Sequence, residues 1–162
     1  MNIEWLIDLN MPQDILNKME TAATCCQICE GISVPCSITV RLCSDETIEQ
    51  INHEYRSISK STDVLSFPSV SYSTGLTAGA CEKLLKKEYD DETGCCFLGD
   101  IIISVPHLYK QAKDFNHSVE REAAYLLVHG ICHLMGYDHI SENDKTVMRA
   151  MEEKILSLAS EY

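Results

Sequence analysis

The stretch "SVEREAAYLLVHGICHLMGYDH", Ser118 to His139, reads as a helix that ends in a turn, and the rest of the chain is read around it. Ser118 is a natural N-cap, because its hydroxyl can accept from a free backbone N–H of the first turn. Glu120 and Glu122 follow where the helix dipole favours negative charge. The helix should run on to His129 and His133. Gly136 is the expected terminator, since glycine enters the left-handed backbone without steric cost.

Outward from this helix the chain alternates. "FLGDIIISV", Phe97 to Val105, is a strong strand, followed by a helix from Pro106 to Phe115. "SITVRLC", Ser37 to Cys43, alternates and is rich in β-branched residues, which predicts another strand. Ile3 to Leu9 and "TDVLSFP", Thr62 to Pro68, are further strand candidates. Helical spacing recurs through Ile15, Leu16, Met19, Ala22 and Ala23, stopped by Gly31, and again from Ser44 or Asp45 through Ile48, Ile51 and Tyr55. Ser141 opens a last helix carrying Val147, Met148, Met151, Ile155 and Leu158. Three or four strands interleaved with about five helices predict an α+β or α/β layer protein. Residues 69–96 carry little pattern beyond a short helical run, "ACEKLLKKEY", and are expected to form a surface excursion, mobile or partner-facing.

At 162 residues, 45% apolar and 23% charged, the chain should form one domain, 1–162. No run approaches the roughly 18–20 apolar residues that would span a bilayer, so no membrane is expected. "MNIEWLIDLN" has no basic leader, which suggests a cytoplasmic protein. Nine cysteines include two adjacent pairs, Cys25-Cys26 and Cys95-Cys96, a pattern of reduced, half-buried thiols rather than of disulfides. Cys26-x-x-Cys29 has no second half at zinc-knuckle spacing. A formal net charge of −12 disfavours broad adsorption to nucleic acid, while leaving room for a small local phosphate site.

The chemistry concentrates in H-x-x-x-H-x-x-G-x-x-H, formed by His129, His133, Gly136 and His139. Four residues advance a helix by about one turn, ~6 Å, so His129 and His133 share a face and can meet one ion. The turn at Gly136 can return His139 to the same ion. Three imidazoles leave a fourth position open, the arrangement of a catalytic zinc rather than a structural one. Cys132, one step along the helix, faces elsewhere. Asp138 either orients a ligand imidazole or is a surface turn acid. His53, His107 and His117 have no such spacing and are expected to be ordinary.

A zinc protease carries its glutamate base directly after the first histidine; here that residue is Gly130. Zinc can make water acidic without a dedicated base, but peptide cleavage also needs a proton for a poor amine leaving group. Phosphodiester cleavage chiefly needs positive charge against a developing oxyanion. The glycine therefore tilts the expected substrate towards phosphoesters. Arg56 and Lys60 make a small basic spot in "NHEYRSISKSTDVLSFP", Asn52 to Pro68. Arg56 could contact phosphate, or it could complete a helix end or pair with Asp63.

Taken together, "NHEYRSISKSTDVLSFP", "LGDIIIS" (Leu98 to Ser104) and "HGICHLMGYDH" (His129 to His139) resemble the YbeY family of zinc-dependent endoribonucleases. The resemblance covers most of residues 37–145. It implies one zinc ion on His129, His133 and His139, Arg56 assisting RNA cleavage, and Asp100 in the shell that supports the site. It also implies a mixed sheet with helices packed on it and the metal helix across a cleft. The implied activity is single-strand-specific cleavage, chiefly of ribosomal RNA, with partners in the small ribosomal subunit or its assembly proteins. The connection between Pro68 and Leu98 looks longer than is usual in that family.

Two other readings stay open. One is a zinc peptidase using a remote acid such as Glu122. The other is a non-catalytic ribosome-assembly factor with a structural zinc.

Overall fold

A computed structural model describes all residues, Met1–Tyr162. In chain order the elements are β1 (Asn2–Ile7), α1 (Gln13–Glu30), β2 (Cys36–Cys43), α2 (Asp45–Arg56), β3 (Val64–Pro68), α3 (Glu82–Lys87), β4 (Tyr89–Asp90), β5 (Cys95–Ser104), α4 (Val105–Asp114), α5 (Val119–Leu134) and α6 (Glu142–Ala159). The sheet is mixed. β1 runs parallel to β2 and β2 parallel to β5, whereas β3 and the two-residue β4 pair antiparallel with β5. This is the α+β layer fold expected, with the short helical run of 69–96 present as α3 and one strand, β4, beyond what the sequence pattern gives.

Strand alternation sorts side chains onto two faces. Ile38, Val40 and Leu42 of β2 and Ile101 and Ile103 of β5 enter the main core, together with residues of α1, α4, α5 and α6. On the opposite face Ile102 joins Cys43, Ile48 and Leu65 in a smaller cluster covered by α2. β5 is therefore packed on both sides, which is why "DIIIS" reads as a continuous apolar run rather than an alternation.

The central contact is between α5 and β5. Gly130 is buried against Ile101: a methyl group there would lie 3.0 Å from both Cδ1 and Cγ2 of that isoleucine. The place that holds the glutamate in zinc proteases is here the point where helix meets sheet. It points into the core, away from solvent.

The 69–96 stretch crosses the surface, but it is not loosely held. Val70, Ala78, Leu85 and Cys96 are buried in the main core. The backbone N–H of Gly79 donates to Glu30 Oε2 at 2.8 Å, and that of Ala78 to the Met135 carbonyl at 2.9 Å. β4 exists only through its pairing with β5, so no local pattern could announce it.

Gly130→Ala is expected to lose up to about 2 kcal/mol net, because overpacking of ~1–3 kcal/mol is offset by only roughly 1 kcal/mol of gained helix propensity. Urea unfolding with an unchanged m-value checks this; a stabilised variant would refute the tight contact. Gly130→Glu, which restores the protease pattern, should cost more than about 3 kcal/mol by burying a carboxylate with no partner.

Candidate metal centre

α5 starts as its sequence requires: the Ser118 hydroxyl accepts from the Arg121 backbone N–H at 3.2 Å. It ends at Leu134, and Gly136 takes φ +91. The Tyr137 N–H reaches back to the Cys132 carbonyl at 3.0 Å, closing the turn. A side chain at Gly136 would also collide with the Leu76 carbonyl and the Tyr72 ring, each 2.8 Å from its first carbon, so conformation and space both demand glycine.

The turn delivers His139 to the helix histidines. Ligand nitrogens of His129, His133 and His139 all lie within 4.8 Å of one another, and no other cluster of potential ligands forms in the chain. The Nε2 atoms of His129 and His133 stand 3.2 Å apart. Two ligands of a tetrahedral zinc ion at 2.0–2.1 Å stand about 3.3–3.4 Å apart, so the spacing fits one ion.

The tautomers fit as well. His129 Nδ1 lies 2.7 Å from a Glu152 carboxylate oxygen, and His133 Nδ1 lies 3.1 Å from the Tyr137 carbonyl. An acceptor facing each Nδ1 favours the proton there, which leaves both Nε2 atoms directed at one point between the rings. Burial, then the neighbouring His129 and His139, push the His133 pKa down and keep its ring neutral. These are the features of a ligand set oriented from behind.

Glu152, on α6 and only 7% exposed, is the residue that the sequence does not reveal. It lies 23 residues from His129, and its own segment reads as an ordinary amphipathic helix. Glu30 is a second such residue. It accepts the Tyr137 hydroxyl and the Gly79 N–H, tying the end of α1 to the histidine turn and to the 69–96 stretch.

The remaining expectations divide: Asp100 and Glu122 need correction, and for Asp138 the turn reading holds. Asp138 does not support an imidazole: it accepts from the backbone N–H of His139 at 2.7 Å and so stiffens the turn. Asp100 shares its strand face with Ile102, on the α2 side of the sheet, while α5 packs on the Ile101 side. It therefore stands outside the supporting shell of the histidines. Cys132 is fully buried in the core, as its position on the helix requires. Glu122 is 3% exposed, lies 3.5 Å from His117 and does not line the cleft. His107 pairs with Asp45 at 2.6 Å and His53 with the Ser59 hydroxyl at 2.9 Å, so these histidines are structural.

The trio opens into a cleft of about 1220 Å³ between α5, β3, the 69–77 loop and the start of α6. Arg56 lines it too. Its guanidinium lies 5.8 Å over the Phe67 ring, and Nη2 donates to the Ser66 carbonyl at 3.3 Å. It pairs with no carboxylate, Asp63 included, so most of its donors are free. Asp63 also lines the cleft. Burial alone would push its carboxyl up, but hydrogen bonds from Gln111, the Val64 N–H and Thr62 hold it below the usual carboxylate range.

Fold and cleft together define an α+β protein with a preorganised three-histidine centre of the kind that receives a divalent cation. The profile described as "Endoribonuclease YbeY" matches residues 6–160. An Endoribonuclease YbeY of Clostridium kluyveri is 40% identical over 148 residues, 90% of each chain. That of Clostridium acetobutylicum is 45% identical over 132 residues, 79% of this chain and 78% of the relative. The solution structure of TM1509 from Thermotoga maritima matches with a TM-score of 0.62 over 97% of this chain and 88% of that one; at 22% identity it supports the fold alone. The chain belongs to the YbeY endoribonuclease family.

Glu152→Ala is expected to weaken zinc or cobalt binding by about 10–100-fold, with Glu152→Gln milder because its amide oxygen can still accept. Competition against a chelator measures this; unchanged affinity in both variants would separate Glu152 from the histidines.

Proposed function

We propose that the chain is a single-strand-specific endoribonuclease, dependent on one zinc ion held by His129, His133 and His139, acting in ribosomal RNA maturation and in biogenesis or quality control of the small ribosomal subunit. The supporting observation is the 3.2 Å approach of two Nε2 atoms whose Nδ1 positions both face acceptors. When bound, zinc would supply Lewis acidity towards a phosphoryl oxygen and would make water more acidic. Arg56 would take the other side of the phosphate, its free donors matching an anionic oxygen pair. The Ser66 carbonyl and the Phe67 ring hold its guanidinium at the cleft wall, so little side-chain freedom is lost when phosphate arrives.

The peptidase reading loses its acid. Glu122 is buried against His117, outside the cleft. Of the carboxylates lining the cleft, three donors hold Asp63 below the usual carboxylate range, Asp138 accepts from the His139 N–H, and Asp144 closes the capping box of α6. Each already accepts from a donor within the protein. The structural-zinc reading lacks a fourth protein ligand: three residues converge and His139 is exposed. With −12 net charge, the RNA would be presented by the small ribosomal subunit or its assembly proteins rather than drawn in by a broad basic surface.

Chelation should abolish cleavage of single-stranded RNA, zinc should restore it, and His133→Ala should not respond to zinc. Arg56→Ala is expected to lower kcat about 10²-fold, the usual loss for one donor to a developing oxyanion, in a chain with unchanged circular dichroism. Full activity in Arg56→Ala would remove it from the chemistry. Peptide turnover lost in His133→Ala, with RNA left intact, would reverse the substrate assignment.

A further inference from the structure

The cleft has a poor charge balance for holding a polyanion. Arg56 is its only lysine or arginine, against Asp63, Asp138 and Asp144. Even a divalent ion would only bring this lining near neutrality. Proteins that hold single strands draw on a second source of affinity besides positive charge, the stacking of bases on aromatic rings.

Three tyrosines line the cleft, and two are committed elsewhere. The Tyr137 hydroxyl donates to Glu30, and the Tyr72 ring is packed over Gly136 with its hydroxyl buried. Tyr125 is different. It lies on α5 one turn before His129, on the same helical face, with ring centroids 6.0 Å apart and planes at 39°. It is 37% exposed. An unanchored ring thus stands beside the histidines, four residues or ~6 Å along the helix axis from His129.

We propose that the Tyr125 ring is the platform on which the unpaired base flanking the scissile phosphate stacks, and that this contact supplies much of the cleft's affinity for RNA. The assignment rests on the nuclease reading and deepens it. It gives a physical reason for single-strand specificity, because a base held in a duplex is already stacked on its neighbours and cannot turn its face to a side chain. Arg56 and the ion fix one phosphate, and Tyr125 fixes the base beside it. One nucleotide is then held at two points without a basic track.

The test uses the zinc-loaded full chain and a short single-stranded RNA whose cut position has been mapped with the wild type. Tyr125→Ala should raise KM on the order of 10–100-fold with kcat little changed, as expected for loss of one base–aromatic stack. Tyr125→Phe should stay within about twofold of wild type, since the ring and not the hydroxyl is used. An RNA with an abasic nucleotide at the flanking position should impose the same penalty on the wild type and none further on Tyr125→Ala. Fluorescence of 2-aminopurine placed there should be quenched by wild type and Tyr125→Phe but not by Tyr125→Ala. Unchanged KM in Tyr125→Ala, equal losses in the Phe and Ala variants, or additive penalties from the abasic site and the variant would each overturn the stack while leaving the nuclease intact. Absence of any RNA cleavage by the wild type would overturn both.

Discussion

The approach of α5 to β5 at Gly130 sets the height and rotation of the helix that carries the chemistry. With the Ile101 side chain in contact, the helix cannot roll without opening a void or driving a backbone into a branched side chain. Fixing one face of α5 on the sheet fixes the others. Ala123, Leu127 and Ile131 stay in the core, and the stripe of Tyr125, His129 and His133 is left at the gap between β3 and α6. The glycine that replaces a protease glutamate is thus a packing residue before it is a statement about catalysis.

Orientation of the histidines comes from elements far apart in the chain. α6 provides Glu152, the turn after α5 provides the Tyr137 carbonyl, and α1 provides Glu30, which holds Tyr137 itself. Each contact is short-ranged and directional, and together they remove the rotational freedom that a metal or a phosphate would otherwise have to freeze. Such contacts are coupled. Loss of Glu30 would loosen Tyr137, and with it the acceptor on which His133 depends.

What the sequence could disclose was whatever is local. The i, i+4 histidines, the glycine where the helix must turn, and the serine caps each depend on residues within a few positions of one another. These features were legible. Glu152 and Glu30 were not, because a carboxylate on an amphipathic helix looks the same whether it faces solvent or an imidazole. Asp100 shows another limit. Its strand is covered on both faces, so the isoleucine run gave no parity to tell which side the aspartate takes. Arg56 was placed at the end of a helix, but its freedom from Asp63 became visible only when Gln111, from α4, was found occupying that carboxylate.

The distribution of these supports along the chain has a consequence for biosynthesis. Residues from position 30 to position 152 must be in place before the three imidazoles share a common focus. A nascent polypeptide whose α6 has not left the exit tunnel has nothing behind His129 to hold its tautomer. That support reaches His129 only where α6 packs against α5.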